Sequence, residues 1–178
     1  GFTNPQRMVT EYSDALIWCI DQELTSVNDA ARIFEQILKD GKHLVVIAHG
    51  YSEEILQMTY ANVANNNLKV ALVKAPGYSE RRTAILSDIA VYCGGQVYSD
   101  RSTKLSAASL RYFPVCSKII VGRDSTIIIG GAGEQAEIKA RVEQLKLQLK
   151  DADNQYSKDR LNERIAQLNG GVAVIRCG

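Results

Sequence analysis

Several features are missing from this sequence, and each absence removes a class of protein. No charge dominates: 21 Lys and Arg stand against 20 Asp and Glu. Such a balance lacks the basic footprint of a nucleic-acid binder, so no nucleic-acid partner is expected. Long hydrophobic runs are missing too. Leu44–Ala48 and Ile127–Ile129 are far shorter than a membrane span, and no membrane partner is expected. No signal peptide, repeat or low-complexity segment is visible. Cys19, Cys93, Cys116 and Cys177 form no Cys-x-x-Cys pair, and their apolar neighbours point to buried free thiols rather than disulfides or zinc. His43 and His49 flank an apolar run with no acidic ligand at metal spacing, which makes them strand-end residues.

What is present is apolar residues at 46% of 178, enough for a core and too many for disorder. The opening on Gly1 without Met, and the stop after "GVAVIRCG", give the expectation of an excised domain. Strand-like and helix-like patterns alternate in the first half: strands at 15–20, 43–48 and 68–73, helices at 26–39 and 53–64. A third helix follows Ser79 and stops at Gly94-Gly95. "KIIVG" and "STIII" then read as a hairpin around Arg123-Asp124, after a polar stretch with weak order signals. Two charged helices, 134–150 and 156–168, carry narrow apolar seams, Ile138-Val142-Leu145-Leu149 and Leu161-Ile165-Leu168. The short link Asp151–Asn154 predicts an antiparallel helical hairpin before a last strand at 172–176. The fold class is α/β.

Two stretches invite a phosphate. "VALVKAPGYSERR" (Val70–Arg82) turns after a strand and offers paired arginines, but it has one glycine and lacks a Lys-Ser/Thr step. A turn with basic residues is the better reading. "GAGEQA" (Gly131–Ala136) fits G-x-G-x-x-A between a strand and a helix. A dinucleotide fold needs an acidic residue at the end of the next strand, whereas Asp151 falls between two charged helices. Two strand-end histidines support no catalytic triad. No catalytic, cofactor or metal residue is therefore expected in this chain.

The anomaly lies in the first two helices. Ala30, Ile33 and Ile37 form one stripe, and Ala31, Phe34 and Leu38 a second, together covering about 160° of the helix surface. On 53–64, Ile55, Leu56, Met58, Tyr60 and Val63 spread over about 200°, with no Lys or Arg. Either both helices are buried on two sides, or each offers a spare apolar stripe to another chain.

"VALVKAPGYSERRTAILSDIA" resembles the signature V-K-A-P-G-[FY]-G-[DE]-R-R-x-x-x-L-x-D-I-A of group I (GroEL-type) chaperonins. The likeness continues in "GKHLVVIA", "GRDSTIII", "IKARVEQLKLQL" and "DADNQYSKDRLNERIAQLNGGVAVIRCG", and covers essentially the whole chain. It implies an apical domain over residues 1–171: a β-sheet or sandwich core flanked by helices, with a C-terminal helical hairpin. It further implies a hinge at Gly170-Gly171 and the start of an intermediate domain at 172–178. The implied function is capture of non-native polypeptides and of a GroES-type co-chaperonin in an apolar two-helix groove. Ala31, Phe34, Leu56, Tyr60, Ala61 and Asn62 fall on the family's groove positions, and Phe2 on a further aromatic one. ATP and Mg belong to parts of the full-length subunit outside this chain, as do ring contacts with other chaperonin subunits. The family's compartments are the bacterial cytoplasm and the organelle matrix.

The departures cluster on the binding face. Ala31 and Ala61 stand where Leu and Val are usual, "AHGYSEEIL" replaces A-E-D-V-x-G-E-A-L, and "ANVANNN" replaces a segment that carries Arg and Gly. The N-terminal hairpin segment "QRMVTEYSD" also matches poorly. The alternatives are a dinucleotide-binding enzyme using "GAGEQA" and an interaction module without chaperone activity.

Overall fold

A computed structural model describes residues 9–176. Its centre is β1 (Thr10–Ile20), polar at its start and continuously apolar from Ala15. Such a run suits a strand covered on both faces. β2 (His43–Ala48) pairs with it in parallel, Ala15 to His43 and Cys19 to Ile47. β3 (Val70–Lys74) then pairs in parallel with β2 and forms one edge. On the other side β1 has two neighbours in succession. Its first half is antiparallel to β5 (Val115–Val121), and its last residues, Cys19 and Ile20, are parallel to β4 (Val97–Tyr98). β6 (Ser125–Gly131) and β7 (Val172–Arg176) complete a mixed seven-stranded sheet of order β3-β2-β1-β5-β6-β7.

Strand alternation sorts the core into two faces. Trp18, Ile20, Leu44, Val46, Ala48 and Val70 pack with α1 (Val27–Asp40), α2 (Glu53–Asn66) and the segment 105–113. Ile17, Cys19, Val45, Ile47 and Val73 pack with α3 (Ser79–Cys93), α4 (Gln135–Asp151) and α5 (Gln155–Gly170). The protein is a three-layer α/β domain. Each fully buried Ile, Leu or Val contributes about 1.5–3 kcal/mol to holding the layers together. No helix among the described residues is long and apolar enough to cross a membrane.

Three expectations change. "QRMVTEYSD" is not a hairpin in its described part: Thr10–Asp14 continue β1 in register with β5, Thr10 opposite Val121. Asp14 takes φ 50° there, in the row between Ser13↔Lys118 and Ala15↔Cys116, so the strand kinks without slipping. The polar stretch after β4 is ordered, because Phe113 is buried between Trp18 (centroids 5.6 Å) and Tyr98 (5.7 Å). Arg32 of α1 also donates to the carbonyls of Ala108 at 2.7 Å and Leu105 at 3.1 Å. Finally, Val172–Arg176 is built into this same sheet, paired with β6 from Ser125↔Arg176 to Ile129↔Val172. Gly170 closes α5, and Gly171 turns into β7 at φ 73°, its carbonyl accepting from the Tyr92 hydroxyl.

The helical hairpin is present, its two helices joined by three residues, with Ile138, Val142, Leu145 and Leu168 buried. It does not stand apart. Asp88 of α3 accepts from Arg141 of α4 at 2.9 Å and from Arg164 of α5 at 2.6 Å.

Candidate functional site

α1 and α2 lie side by side on one face of the sheet. α1 starts at Ser26, whose hydroxyl accepts from the Asp29 N–H at 3.2 Å, and stops at Gly41, φ 62°. α2 starts at Ser52, which accepts from the Ile55 N–H at 3.3 Å, with Glu53 and Glu54 at the positive end of the helix dipole. Just ahead of it, the Tyr51 hydroxyl reaches the carbonyls of Val73 (2.6 Å) and Val46 (3.0 Å). That anchor fixes α2 to β2 and β3, and burial pushes the Tyr51 phenol up.

The two helices use their apolar surface differently. In α1, Phe34 is 4% exposed and belongs to the core cluster that includes Leu105, Ala108 and Phe113. This corrects its expected place in a groove: the wide apolar arc of α1 serves the sheet on one side and the ordered 105–113 segment on the other. Ala31 is half-buried, and Leu38, at 39% exposed, is the open end of the second stripe.

α2 buries only Ile55 and Thr59. Thr59 escapes a hydrophobic-pattern reading because it is polar, yet its hydroxyl is satisfied by the Ile55 carbonyl at 2.7 Å. Leu56 and Met58 are half-buried. Tyr60 is 63% exposed, Val63 39%, and Ala61 is exposed. Asn62 is half-buried and donates to the Met58 carbonyl at 2.8 Å, while its own Oδ1 accepts from Asn66 at 2.7 Å. Leu56, Tyr60 and Val63 fall within about 60° of one another and form a partly open apolar stripe, with Ala61 about 100° round the helix from Tyr60 and Phe34 buried in α1. Phe2 lies outside the described residues.

From Ile55 to Leu68 the chain carries no Asp, Glu, Lys or Arg, its longest charge-free run. Most of that run is solvent-facing. The face is therefore neutral as well as apolar.

Both phosphate-like stretches acquire structural explanations. Gly133 donates its N–H to the Tyr92 carbonyl at 2.9 Å, and a Cβ there would lie 2.1 Å from the Val91 carbonyl oxygen. The glycines of "GAGEQA" let the β6–α4 connection press against the end of α3, leaving that glycine's space filled by protein. In "KAPGYSERR", Arg82 folds back on the Gly77 carbonyl (2.9 and 3.1 Å), and Arg81 donates to the Tyr156 hydroxyl at 2.8 Å. Both arginines hold the turn and the start of α3.

His49 has a partner that spacing did not reveal. Its Nε2 donates to Asp21 Oδ1 at 2.6 Å, and Thr83 donates to Asp21 Oδ2 at 2.7 Å, so Asp21 joins β1, the end of β2 and α3. Among the described residues no cluster of His, Cys, Asp and Glu could hold a metal ion. A cleft of about 750 Å³ between α3, α5 and β7 lies on the opposite face of the sheet from α2. No protein-family model matches the sequence.

Proposed function

We propose that this domain captures apolar segments of non-native polypeptides on the outer face of α2 and the adjoining edge of α1. The observation that carries the reading is the partly open stripe of Leu56, Tyr60 and Val63, on a helix that commits only Ile55 and Thr59 to the core. An exposed apolar stripe on a rigid, doubly capped helix costs solubility and is what a contact surface requires. The likeness of "VKAPGYSERR" and the segments after it to group I chaperonin apical domains supports the same reading. In that frame a GroES-type co-chaperonin would share the face, and other subunits would complete a ring. ATP and Mg would be handled by domains outside this chain, in a bacterial cytoplasm or an organelle matrix. Ala31 and Ala61 make the face shallower than Leu and Val would, each forgoing roughly 1–2 kcal/mol of burial on binding.

The test is suppression of aggregation of a chemically denatured client. The unaltered chain should suppress it, and Tyr60→Asp with Val63→Asp should not. Equal suppression by the variant, at unchanged fold stability, would refute the assignment.

A further inference from the structure

On the face of the sheet away from α2, α3 and α5 run parallel. Arg81 meets the Tyr156 hydroxyl at 2.8 Å, Asp88 meets Arg164 at 2.6 Å, and Tyr92 meets the Gly171 carbonyl. The stripes these helices turn toward each other, Arg81-Ile85-Asp88-Tyr92 and Ser157-Leu161-Arg164-Leu168, share a 4-3-4 spacing and line the cleft of about 750 Å³. Its apolar middle is bordered by an excess of positive charge: Arg81, Arg160, Arg164 and Arg176 stand against Glu80, Asp88 and Glu163. Asp88 is moreover shared between Arg164 and Arg141, with all three side chains only 13–22% exposed. Among the described residues, then, one guanidinium charge in this wall has no counter-charge, and a shielded cation favours an anion beside it. One turn earlier on α5, Arg160 Nε is buried and makes no hydrogen bond, because Glu163 Oε2 at 3.1 Å lies out of line with its N–H.

The geometry points to a binding site in this cleft for a small organic monoanion with an aliphatic body, the chemistry of a medium-chain carboxylate. The site is independent of the capture reading, since it shares no residue with α1 or α2. The anionic head sits against Arg160 and Arg164, one turn apart on the same side of α5, where charge-assisted hydrogen bonds are strongest. The aliphatic body lies along half-buried Ile85 and Leu161 toward Ile89 and Leu168. The wall from Arg81 to Tyr92 is about 16 Å long, and the volume falls within the roughly 300–1,000 Å³ of small-molecule sites. Exposed Glu80 and Glu163 at the border repel a second negative charge, which selects a monoanion over a polyphosphate.

Octanoate, 1-octanol and acetate test this by amide chemical-shift titration of the whole chain. Octanoate should bind saturably with a Kd of about 1–5 mM, moving amides of α3, α5 and β7. Octanol, which lacks the charge, and acetate, which lacks the chain, should each bind at least about tenfold more weakly. Two substitutions on α5 should act in opposite directions at unchanged melting temperature. Arg160→Gln should weaken octanoate about fivefold, and Glu163→Gln, which removes the competing carboxylate, should tighten it about threefold. Shifts confined to α1 and α2 would place the chain of octanoate on the apolar stripe of α2 and overturn the site. Octanol binding as tightly as octanoate, or both variants binding like the parent, would overturn the role of the arginines and with it the proposal. Failure of octanoate to saturate by about 20 mM would overturn it outright and leave the capture reading untouched.

Discussion

Asp88 on α3 holds Arg164 on α5 through two hydrogen bonds, 2.6 Å from Nε to Oδ2 and 3.0 Å from Nη2 to Oδ1. The same carboxylate takes Nε of Arg141 on α4 at 2.9 Å, so one side chain ties three helices together. Its side chain is 13% exposed, and removing it leaves two guanidinium groups facing each other with little water. Asp88→Ala should therefore cost about 3 kcal/mol, read from urea denaturation, and should speed amide exchange in α4 and α5 ahead of the rest. Loss of stability without selective loosening of the hairpin would refute the clamp.

Ser79 stands where the chaperonin signature has glycine, and it takes φ 48° at the first residue of α3. Left-handed backbone costs a side chain about 1–2 kcal/mol that glycine does not pay. Ser79→Gly should raise the unfolding free energy by roughly 1 kcal/mol, whereas Gly77→Ala, at φ 80° two residues earlier, should lower it. Two thermal melts decide the matter, and equal signs for the two changes would be inconsistent with it.

Much of the scaffold was legible because its signals are local. The strand runs, the stop at Gly94-Gly95, the turn at Arg123-Asp124 and the seam of Ile138, Val142 and Leu145 are set by periodicity and turn chemistry. The parts that were not legible depend on distant partners. Phe34 looked like a spare stripe because nothing in its own helix announces that residues 105–113 cover it. Thr59 was invisible because its burial depends on a bond to the Ile55 carbonyl. Asp88, Arg141 and Arg164 lie on three separate helices, and no local pattern joins them. On α2 the lack of Lys and Arg was visible, and Tyr60 and Val63 prove open while Ile55 is not.

Gly133 sits where a Cβ would approach the Val91 oxygen to 2.1 Å and the Tyr92 oxygen to 2.6 Å. Those are backbone atoms of α3 and cannot swing aside. Gly133→Ala should cost about 2–3 kcal/mol as an overpacking defect. The loss should be the same with and without added dinucleotide. A saturable rise in melting temperature with NAD, abolished by the substitution, would instead revive the nucleotide reading of "GAGEQA".

Phe34 and Tyr60 provide a matched pair for separating fold from function. Phe34→Ala opens a cavity in the core beneath α1 and should cost about 3–4 kcal/mol, with any loss of client binding following from unfolding. Tyr60→Ala removes a largely exposed ring and should change stability by less than about 0.5 kcal/mol. It should nevertheless weaken capture of a denatured client several-fold. Comparing denaturation midpoints with client binding for the two variants tests the partition directly. A Tyr60→Ala protein that binds as well as the parent would contradict it.

The buried thiols predict how stability depends on alkaline pH. Burial pushes Cys19 up to about 12 and Cys116 to about 11, and raises Cys93 further. In the unfolded chain these thiols titrate near pH ~8.5–9. Above that value the unfolded state releases protons that the folded state retains, so the unfolded state binds fewer and stability falls as pH rises. The thiol contribution is intact below about pH 8.5 and declines between there and the folded values, by about 1.4 kcal/mol per pH unit for Cys19 alone. Urea midpoints taken at half-unit steps from about pH 7 to about pH 9, below the range where the buried tyrosines add their own effect, should show the onset of this fall. Cys19→Ala should start less stable and show a shallower slope. A flat profile in the parent chain would mean that Cys19 titrates alike in the folded and unfolded states, against its complete burial on the central strand.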